Sequence, residues 1–232
     1  MVKNLLADIV RCTADVDVIL TCNIPESKDI DVTGLKQFQR VDNLSSKGFG
    51  ANHNAAFLYC REPFYCIANP DIRLLSDLFP DLIACMNDPR VGLVVPRVIS
   101  PMGNVEDSVR YFPTLARLAA KALRLRDGRF PVSSEMPDMV DWAAGMFMLF
   151  RAEAFREIGG FDEGFFLYYE DVDICARLWK AGWKVIHHPG VSVVHAAQRA
   201  SRKNLRYLKW HITSMARYFW KHWGRLPRKS VS

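Results

Sequence analysis

Apolar and polar positions change period repeatedly along the chain, and the changes outline alternating helices and strands. Leu5, Leu6, Ile9 and Val10 recur at helical spacing, so the chain opens on a helix. Val16 to Thr21 reads as a strand followed by the turn-like Asn23-Ile24-Pro25, and Phe38 to Val41 as a short second strand. Ser46 to Gly50 is a glycine-bearing loop, and a helix is expected from Asn52 to Tyr59. Phe64 to Ala68 is a buried strand entering the polar tip Asn69-Pro70-Asp71. Ser76 to Met86 is a helix with Pro80 near its start, and Val91 to Val98 is a second buried strand. Residues 100 to 140 are irregular and proline-bearing, with a short basic helix at Leu115 to Arg126. Regularity returns at Met139. A short helix ends at Gly159-Gly160, and a second runs from Asp171 to Lys180 and stops at Gly182. Trp183 to Ile186 and Val191 to Val194 are strands, and Lys203 to Trp223 is a long amphipathic helix. Strands alternating with helices predict an α/β sheet whose second half is partly antiparallel, with ligands beyond the carboxyl ends of the strands.

The 232 residues, 50% hydrophobic and 24% charged, suit one large domain with a substantial core. The net charge of +6 hides an asymmetry. From Ala196 to the end there are ten Lys/Arg and no acid, which leaves the first 195 residues at a net −4. Such a tail fits an anionic partner, and a basic, Trp-bearing helix fits a membrane interface as well as a helix packed on the domain. Its apolar stripe is expected to be Leu205, Leu208, Ile212, Met215 and Phe219, with Arg202, Arg206, Lys209, Arg217 and Lys221 on other faces. No nucleic-acid recognition motif accompanies the charge. Six cysteines without a CxxC pair favour a reducing, cytoplasmic setting, and no apolar stretch is long enough to span a bilayer.

Three places carry candidate chemistry. Asn69-Pro70-Asp71 can project a carboxylate from a strand end, where Mg²⁺ or Mn²⁺ would share it with substrate phosphates; the same tripeptide also makes an ordinary turn. In the helix after the aromatic run 165–169, Asp171, Ile174, Cys175 and Leu178 share one face, so Asp171 is expected to point inward and Asp173 elsewhere. An inward, ionised carboxylate suits a general base, although acids at a helix start are favourable on electrostatic grounds alone. His195 ends a strand and is able to complete a metal site or to sit satisfied in the core.

Asp141-Trp142-Ala143-Ala144-Gly145-Met146, Gly159-Gly160-Phe161-Asp162-Glu163, Phe166 through Cys175 with Glu170-Asp171-Val172-Asp173, Gly182-Trp183 and His195 together resemble family 2 glycosyltransferases, most of all their rhamnosyltransferase-like bacterial branch. Lys47-Gly48-Phe49-Gly50-Ala51-Asn52-His53-Asn54 and Asn69-Pro70-Asp71 match that branch in order and spacing. The resemblance implies a GT-A fold (Rossmann-like, nucleotide-diphospho-sugar transferase) with a mixed central sheet over residues 1–200, followed by a basic amphipathic helical tail at 201–232. It implies an inverting hexosyltransferase with a divalent metal, a nucleotide-sugar donor such as dTDP-rhamnose, a glycan or lipid-linked acceptor, and a peripheral place on the inner membrane face, in cell-surface polysaccharide synthesis. Residue by residue, Asp171 takes the base position with Glu170 beside it. Asp71, Asn69 and His195 fall at the metal, with Asn69 where the family's first acid stands. Lys47, Asn52 and Asn54 fall on the donor side, and Trp142 and Asp162 on the acceptor side. Family members begin with a strand that precedes the first helix, whereas Met1 here stands at the start of that helix. The expectation is therefore a chain without its first strand, poorly stable and weak toward donor. The rival readings are an inactive remnant that only binds a membrane or partner, a nucleotidyltransferase, and a basic nucleic-acid module.

Overall fold

In the computed structural model the described residues are 1–24, 30–123, 125, 130, 135–195 and 205–227. The expected 200/201 boundary and Arg202 lie outside them, as does the predicted end of the basic helix at Arg126. The helices are α1 (Val2–Val10), α2 (Phe49–Phe57), α3 (Phe79–Ala84), α4 (Leu115–Ala122), α5 (Ala152–Glu157), α6 (Glu170–Lys180) and α7 (Leu205–His222). The strands are β1 (Asp17–Cys22), β2 (Gln37–Asp42), β3 (Phe64–Ala68), β4 (Ile72–Leu74), β5 (Val91–Ile99), β6 (Val109–Arg110), β7 (Asp138–Met139), β8 (Trp142–Ala143), β9 (Phe147–Arg151) and β10 (Lys184–His195).

The main sheet runs β3-β9-β5-β10-β4, with β7 on the side of β10. It is mixed: β5 and β10 are parallel, while β3–β9, β5–β9 and β4–β10 are antiparallel. Strands covered on both faces read as unbroken apolar runs, and β5 and β9 do so for that reason. Leu93, Val95, Met148 and Phe150 face one layer, with Phe155 of α5, Ile174 of α6 and Tyr218 of α7. Val94, Val98, Phe147 and Leu149 face the other, with Leu5 of α1 and Phe79 and Leu82 of α3. The result is a three-layer α/β/α domain.

The two strands expected at 183–186 and 191–194 are one strand, β10, which carries a register shift between His188 and Ser192. A bulge of this kind lets one strand change direction without leaving the sheet. β1 and β2 form a separate parallel pair. Among the described strands, β1 and β3 each have a hydrogen-bonded neighbour on one side only.

Two expectations about helix faces are corrected. Asp173 does not point away from the core: it is fully buried. In α7 the buried residues are Ser214, Tyr218 and His222, not the predicted apolar stripe. Leu205, Leu208 and Ile212 of that stripe are exposed. The cause in both cases is a buried polar seam. The Asp173 carboxylate meets Arg177 Nε at 2.7 Å, Lys221 Nζ at 2.7 Å and His222 Nε2 at 2.8 Å. Ser214 Oγ donates to the Leu167 carbonyl at 2.9 Å. Burial alone would raise the Asp173 carboxyl, but the His222 hydrogen bond and the Arg177 and Lys221 cations hold it far below the usual carboxylate range. No helix among the described residues is long and apolar enough to cross a membrane.

Candidate active site

The site is built where the ends of β3, β9 and β10 meet the start of α6. Asp71 lies in the link between β3 and β4. β4 is held on one side by β10, in a register that opposes Ile72 to His195. On the other side Asp8 of α1 anchors it, accepting from Arg73 Nε at 2.6 Å and from the Leu74 N–H at 3.0 Å. This register sets the residue before Ile72 beside His195, whose Nε2 lies 3.4 Å from Asp71 Oδ2. The other imidazole nitrogen, Nδ1, lies 3.3 Å from Glu106 Oε2. Glu106 carries no sequence signal, because it falls in the irregular stretch after β5; it is brought to the site by the bridge of Val105 to Ile99 and by the hydrogen bond from its own N–H to the Val98 carbonyl at 2.8 Å.

Asp71 and His195 offer one carboxylate oxygen and one imidazole nitrogen. Mg²⁺ and Mn²⁺ sites that share substrate phosphates are commonly built on so few protein donors, and a carboxylate behind the imidazole fixes its tautomer. The pair therefore fits such a cation. Among the described residues no group of three or more His, Cys, Asp or Glu forms a complete cage. Asn69 donates its backbone N–H to the Met146 carbonyl at 3.0 Å, which ties the metal-side loop to the loop before β9. An open cleft of about 420 Å³ lies against Asp71, lined also by Asn4, Arg73, Pro101 and Val194.

That β8–β9 loop leads directly to Asp171. The Gly145 N–H donates to Asp171 Oδ2 at 3.2 Å, and the Val172 N–H donates to Oδ1 at 2.8 Å. A continuous run of contacts thus joins Asp171 through Gly145 and Met146 to Asn69, Asp71 and His195. Asp171 is half-buried. Burial pushes its carboxyl up to about 6, against the pull of the two N–H donors. Glu170 is buried, and its Oε2 has no hydrogen-bond partner among the described residues. Burial, and then the charge of Asp171, push its carboxyl up to about 8. With both N–H donors on Asp171 and none on Glu170 Oε2, a single shared proton belongs on Glu170 and the charge on Asp171.

Both carboxylates are aimed by an unusual turn. Tyr168 and Tyr169 adopt left-handed conformations, with φ of 70° and 65°. Such backbone costs roughly 1–3 kcal/mol per residue and survives only where the surroundings impose it. Here the Phe166 carbonyl accepts the Phe49 N–H at 3.0 Å. A Cβ at Gly48 would stand 2.7 Å from that carbonyl oxygen, so only glycine allows the loop to approach.

On the donor side of the expected map, Asn52 Oδ1 accepts from Asn43 Nδ2 at 2.6 Å, and Asn43 Nδ2 also donates to Asn23 Oδ1 at 3.1 Å. Asn23 in turn accepts from the Lys47 N–H at 2.8 Å. This asparagine network closes the carboxyl ends of β1 and β2; Asn23 and Asn43 were not anticipated from the sequence. Asn54 is spent within the fold, bonding both the N–H and the carbonyl of Phe161. Lys47 is exposed. On the acceptor side, Trp142 of β8 is half-buried, and its indole N–H donates to the Tyr111 carbonyl at 2.9 Å. The Asp162 carboxylate is taken up by α7 through Arg217 at 2.9 Å and Lys221 at 2.6 Å.

Residues 70–225, a span that contains Asp71, Glu170, Asp171 and His195, match the family described as glycosyl transferase family group 2. The chain belongs to that family. This glycosyltransferase is 32% identical over 183 residues to rhamnosyltransferase WbbL of Escherichia coli (strain K12), covering 74% of the chain and 69% of the relative. It is 36% identical over 142 residues to an N-acetylglucosaminyl-diphospho-decaprenol L-rhamnosyltransferase of Mycobacterium tuberculosis, covering 56% of the chain and 45% of that relative. Among solved structures it superposes on GalNAc-T7 with UDP, GalNAc and Mn²⁺ (TM-score 0.65, 15% identity, 85% of this chain and 41% of the other). It also superposes on the mannosyltransferase PcManGT of Pyrobaculum calidifontis with GDP-Man and Mn²⁺ (TM-score 0.61, 15% identity, 95% and 59%). These structural likenesses establish the GT-A fold. The glycosyltransferase thus spans from under half to about two thirds of the proteins it matches.

Proposed function

We propose that this glycosyltransferase moves rhamnose from a nucleoside-diphosphate sugar, dTDP-rhamnose in the simplest case, to a hydroxyl of a lipid-linked glycan, with inversion at the anomeric carbon. The observation that carries the reading is the Asp171 carboxylate, fixed by two backbone N–H groups and joined through Gly145–Met146 to the loop that bears Asp71. In this reading Asp171 takes the proton of the acceptor hydroxyl as its oxygen bonds to the anomeric carbon. The bond from that carbon to the diphosphate oxygen breaks in the same displacement, and the electron pair leaves with the nucleoside diphosphate. Asp71 and His195 would hold a divalent cation, with Glu106 orienting the imidazole. A bound cation supplies neutralisation of the charge that develops on the diphosphate. Glu170 keeps a neutral neighbour beside Asp171, so the base is not forced to share its charge. Trp142, beside Tyr111, offers a flat apolar wall of the kind that sugar rings stack on. The names of the two rhamnosyltransferase relatives support the choice of sugar and of a lipid-linked acceptor.

A panel of nucleotide sugars offered with Mg²⁺ or Mn²⁺, read as nucleoside diphosphate released, tests the reading. Release from a nucleoside-diphosphate rhamnose that requires acceptor and disappears in Asp171→Asn is the expected result. Release of pyrophosphate, or turnover that survives Asp171→Asn, overturns it.

A further inference from the structure

Four successive turns of α7 touch the loop that leads into Glu170 and Asp171. Trp210 stacks on Phe166, with ring centres 4.6 Å apart. His211 meets the rings of Tyr168 and Tyr169 at 5.3 and 5.5 Å. One turn on, Ser214 Oγ donates to the Leu167 carbonyl at 2.9 Å. Tyr218 packs on Tyr169 at 5.4 Å. At the far end the Lys221 ammonium lies 2.6 Å from the Asp162 carboxylate and 2.7 Å from that of Asp173. At 3.6 residues per turn these five positions of α7 fall within an arc of about 100° on one face of the helix.

The loop runs along this face and comes back. It starts at Lys221 with Asp162, reaches the other end of the face at Phe166 and Tyr168, and returns to Lys221 with Asp173. The reversal falls at the left-handed pair Tyr168 and Tyr169, and Glu170 and Asp171 ride on the returning arm. One ammonium thus ties the outgoing arm to the returning one, while His211 packs against the reversal itself. Backbone in the left-handed region persists only where its surroundings over-determine it. A helix that merely covered a core would turn an apolar stripe toward it. Here α7 spends a lysine, a serine and a histidine on this one loop.

We propose that α7 is the element that positions the base, with His211 and Lys221 as its positioning residues, a reading that rests on Asp171 as the base. His211 and Lys221 act through the backbone of residues 162–173 and take no part in the displacement. They hold Asp171 where the Gly145 and Val172 N–H groups meet its carboxylate. The domain therefore depends on its C-terminal helix for the rate of the chemical step and not for donor affinity. A base displaced by about 1 Å costs up to about 10² in rate while the ground-state contacts of the donor stay as they were.

The test is His211→Ala and Lys221→Met in the full chain, read by kcat, donor Kd, thermal midpoint and amide hydrogen exchange of residues 165–173. His211 is exposed, so His211→Ala should keep the thermal midpoint within about 2 °C of wild type. It should lower kcat at least about tenfold with donor Kd within about twofold, and speed exchange across 165–173 at least about tenfold while the strands exchange as before. His211→Phe, which keeps a ring against Tyr168 and Tyr169, should restore kcat to within about threefold. Lys221→Met should lose more than His211→Ala, and Lys221→Arg should recover most of that loss. Wild-type kcat and loop exchange in a folded His211→Ala overturns the proposal, as does a loss of kcat that only follows a lowered midpoint or that His211→Phe does not relieve. The exchange measurement needs no substrate, which separates the two readings. Faster loop exchange in His211→Ala together with turnover that survives Asp171→Asn overturns the base and with it the positioning role, leaving α7 a structural brace. Turnover that disappears in Asp171→Asn but is unchanged in His211→Ala and Lys221→Met keeps the base and overturns the role of α7.

Discussion

The two ends of the first turn of α6 belong to different electrostatic worlds. At one end, Glu170 and Asp171 are withdrawn from water with no ion pair to a cation among the described residues, and burial raises both carboxyls above the usual range. Two residues on, Asp173 is buried more deeply still, yet three cationic or imidazole partners from α6 and α7 drive its carboxyl the other way. The sequence gives all three the same appearance, acids in a helix start. What separates them is whether an oppositely charged partner arrives from elsewhere in the chain. A carboxylate surrounded by cations is a strut: its proton affinity is too low to accept one at neutral pH. A carboxylate held only by peptide N–H groups keeps the affinity that proton transfer needs.

The contrast is broken most severely at its poised end. Asp171→Asn is expected to lower transfer by roughly 10²–10⁴ in kcat with donor binding retained, measured by nucleoside diphosphate release and by calorimetry. The sign of the stability change is opposite. A folded-state carboxyl raised toward 6 contributes nothing unfavourable below the unfolded value and costs stability as pH rises through 6. Asp171→Asn should therefore raise unfolding free energy at pH 7.5 by about 1–2 kcal/mol, read by chemical denaturation. In the wild type, kcat should fall about tenfold per pH unit below about 6, as the base takes up its proton. At Asp71 the expected loss is about 10² in turnover, with the response to added Mn²⁺ or Mg²⁺ gone in Asp71→Ala. An unchanged metal titration would remove Asp71 from the ligand set.

The paired end is broken through folding instead. Asp173→Ala leaves Arg177, Lys221 and His222 without their common partner, and about 3–5 kcal/mol of stability should go with it. The loss should show as a lowered denaturation midpoint and earlier proteolysis of α7. The smallest effect sharpens the comparison. If Glu170 already carries the shared proton, Glu170→Gln should stay within about fivefold of wild-type kcat at pH 7, or ~1 kcal/mol in barrier. A collapse of turnover there would give Glu170 a direct part in the reaction.

Much of this was legible in the chain. The apolar runs of β3 and β5 identify the buried strands, and the spacing of Asp171, Ile174, Cys175 and Leu178 places Asp171 on an inward face. The Asn69-Pro70-Asp71 tip lies at the end of β3, where a ligand was expected. What stayed hidden depends on partners distant in sequence. Asp173 looks like a solvated helix acid until Lys221 and His222 are seen to cover it. The stripe of Leu205, Leu208 and Ile212 has the period of a core face, but periodicity says only that a face is apolar. It does not say that Ser214, Tyr218 and His222 have better partners on the opposite side. Asn54 reads as a ligand-side amide, although its hydrogen bonds are satisfied by Phe161, 107 residues away. Glu106 sits in a stretch with no period at all, so no pattern could have brought it to His195.

The left-handed pair Tyr168 and Tyr169 sets a limit on how this protein can be made sturdier. Glycine would occupy either position at lower conformational cost, and a search for thermal hardiness would favour it. It would also free the hinge that aims Glu170 and Asp171, turning a fixed bearing into a swivel. The gain in heat resistance and the sharpness of the aim pull against each other at these two residues, and the aromatic side chains record which of them prevailed.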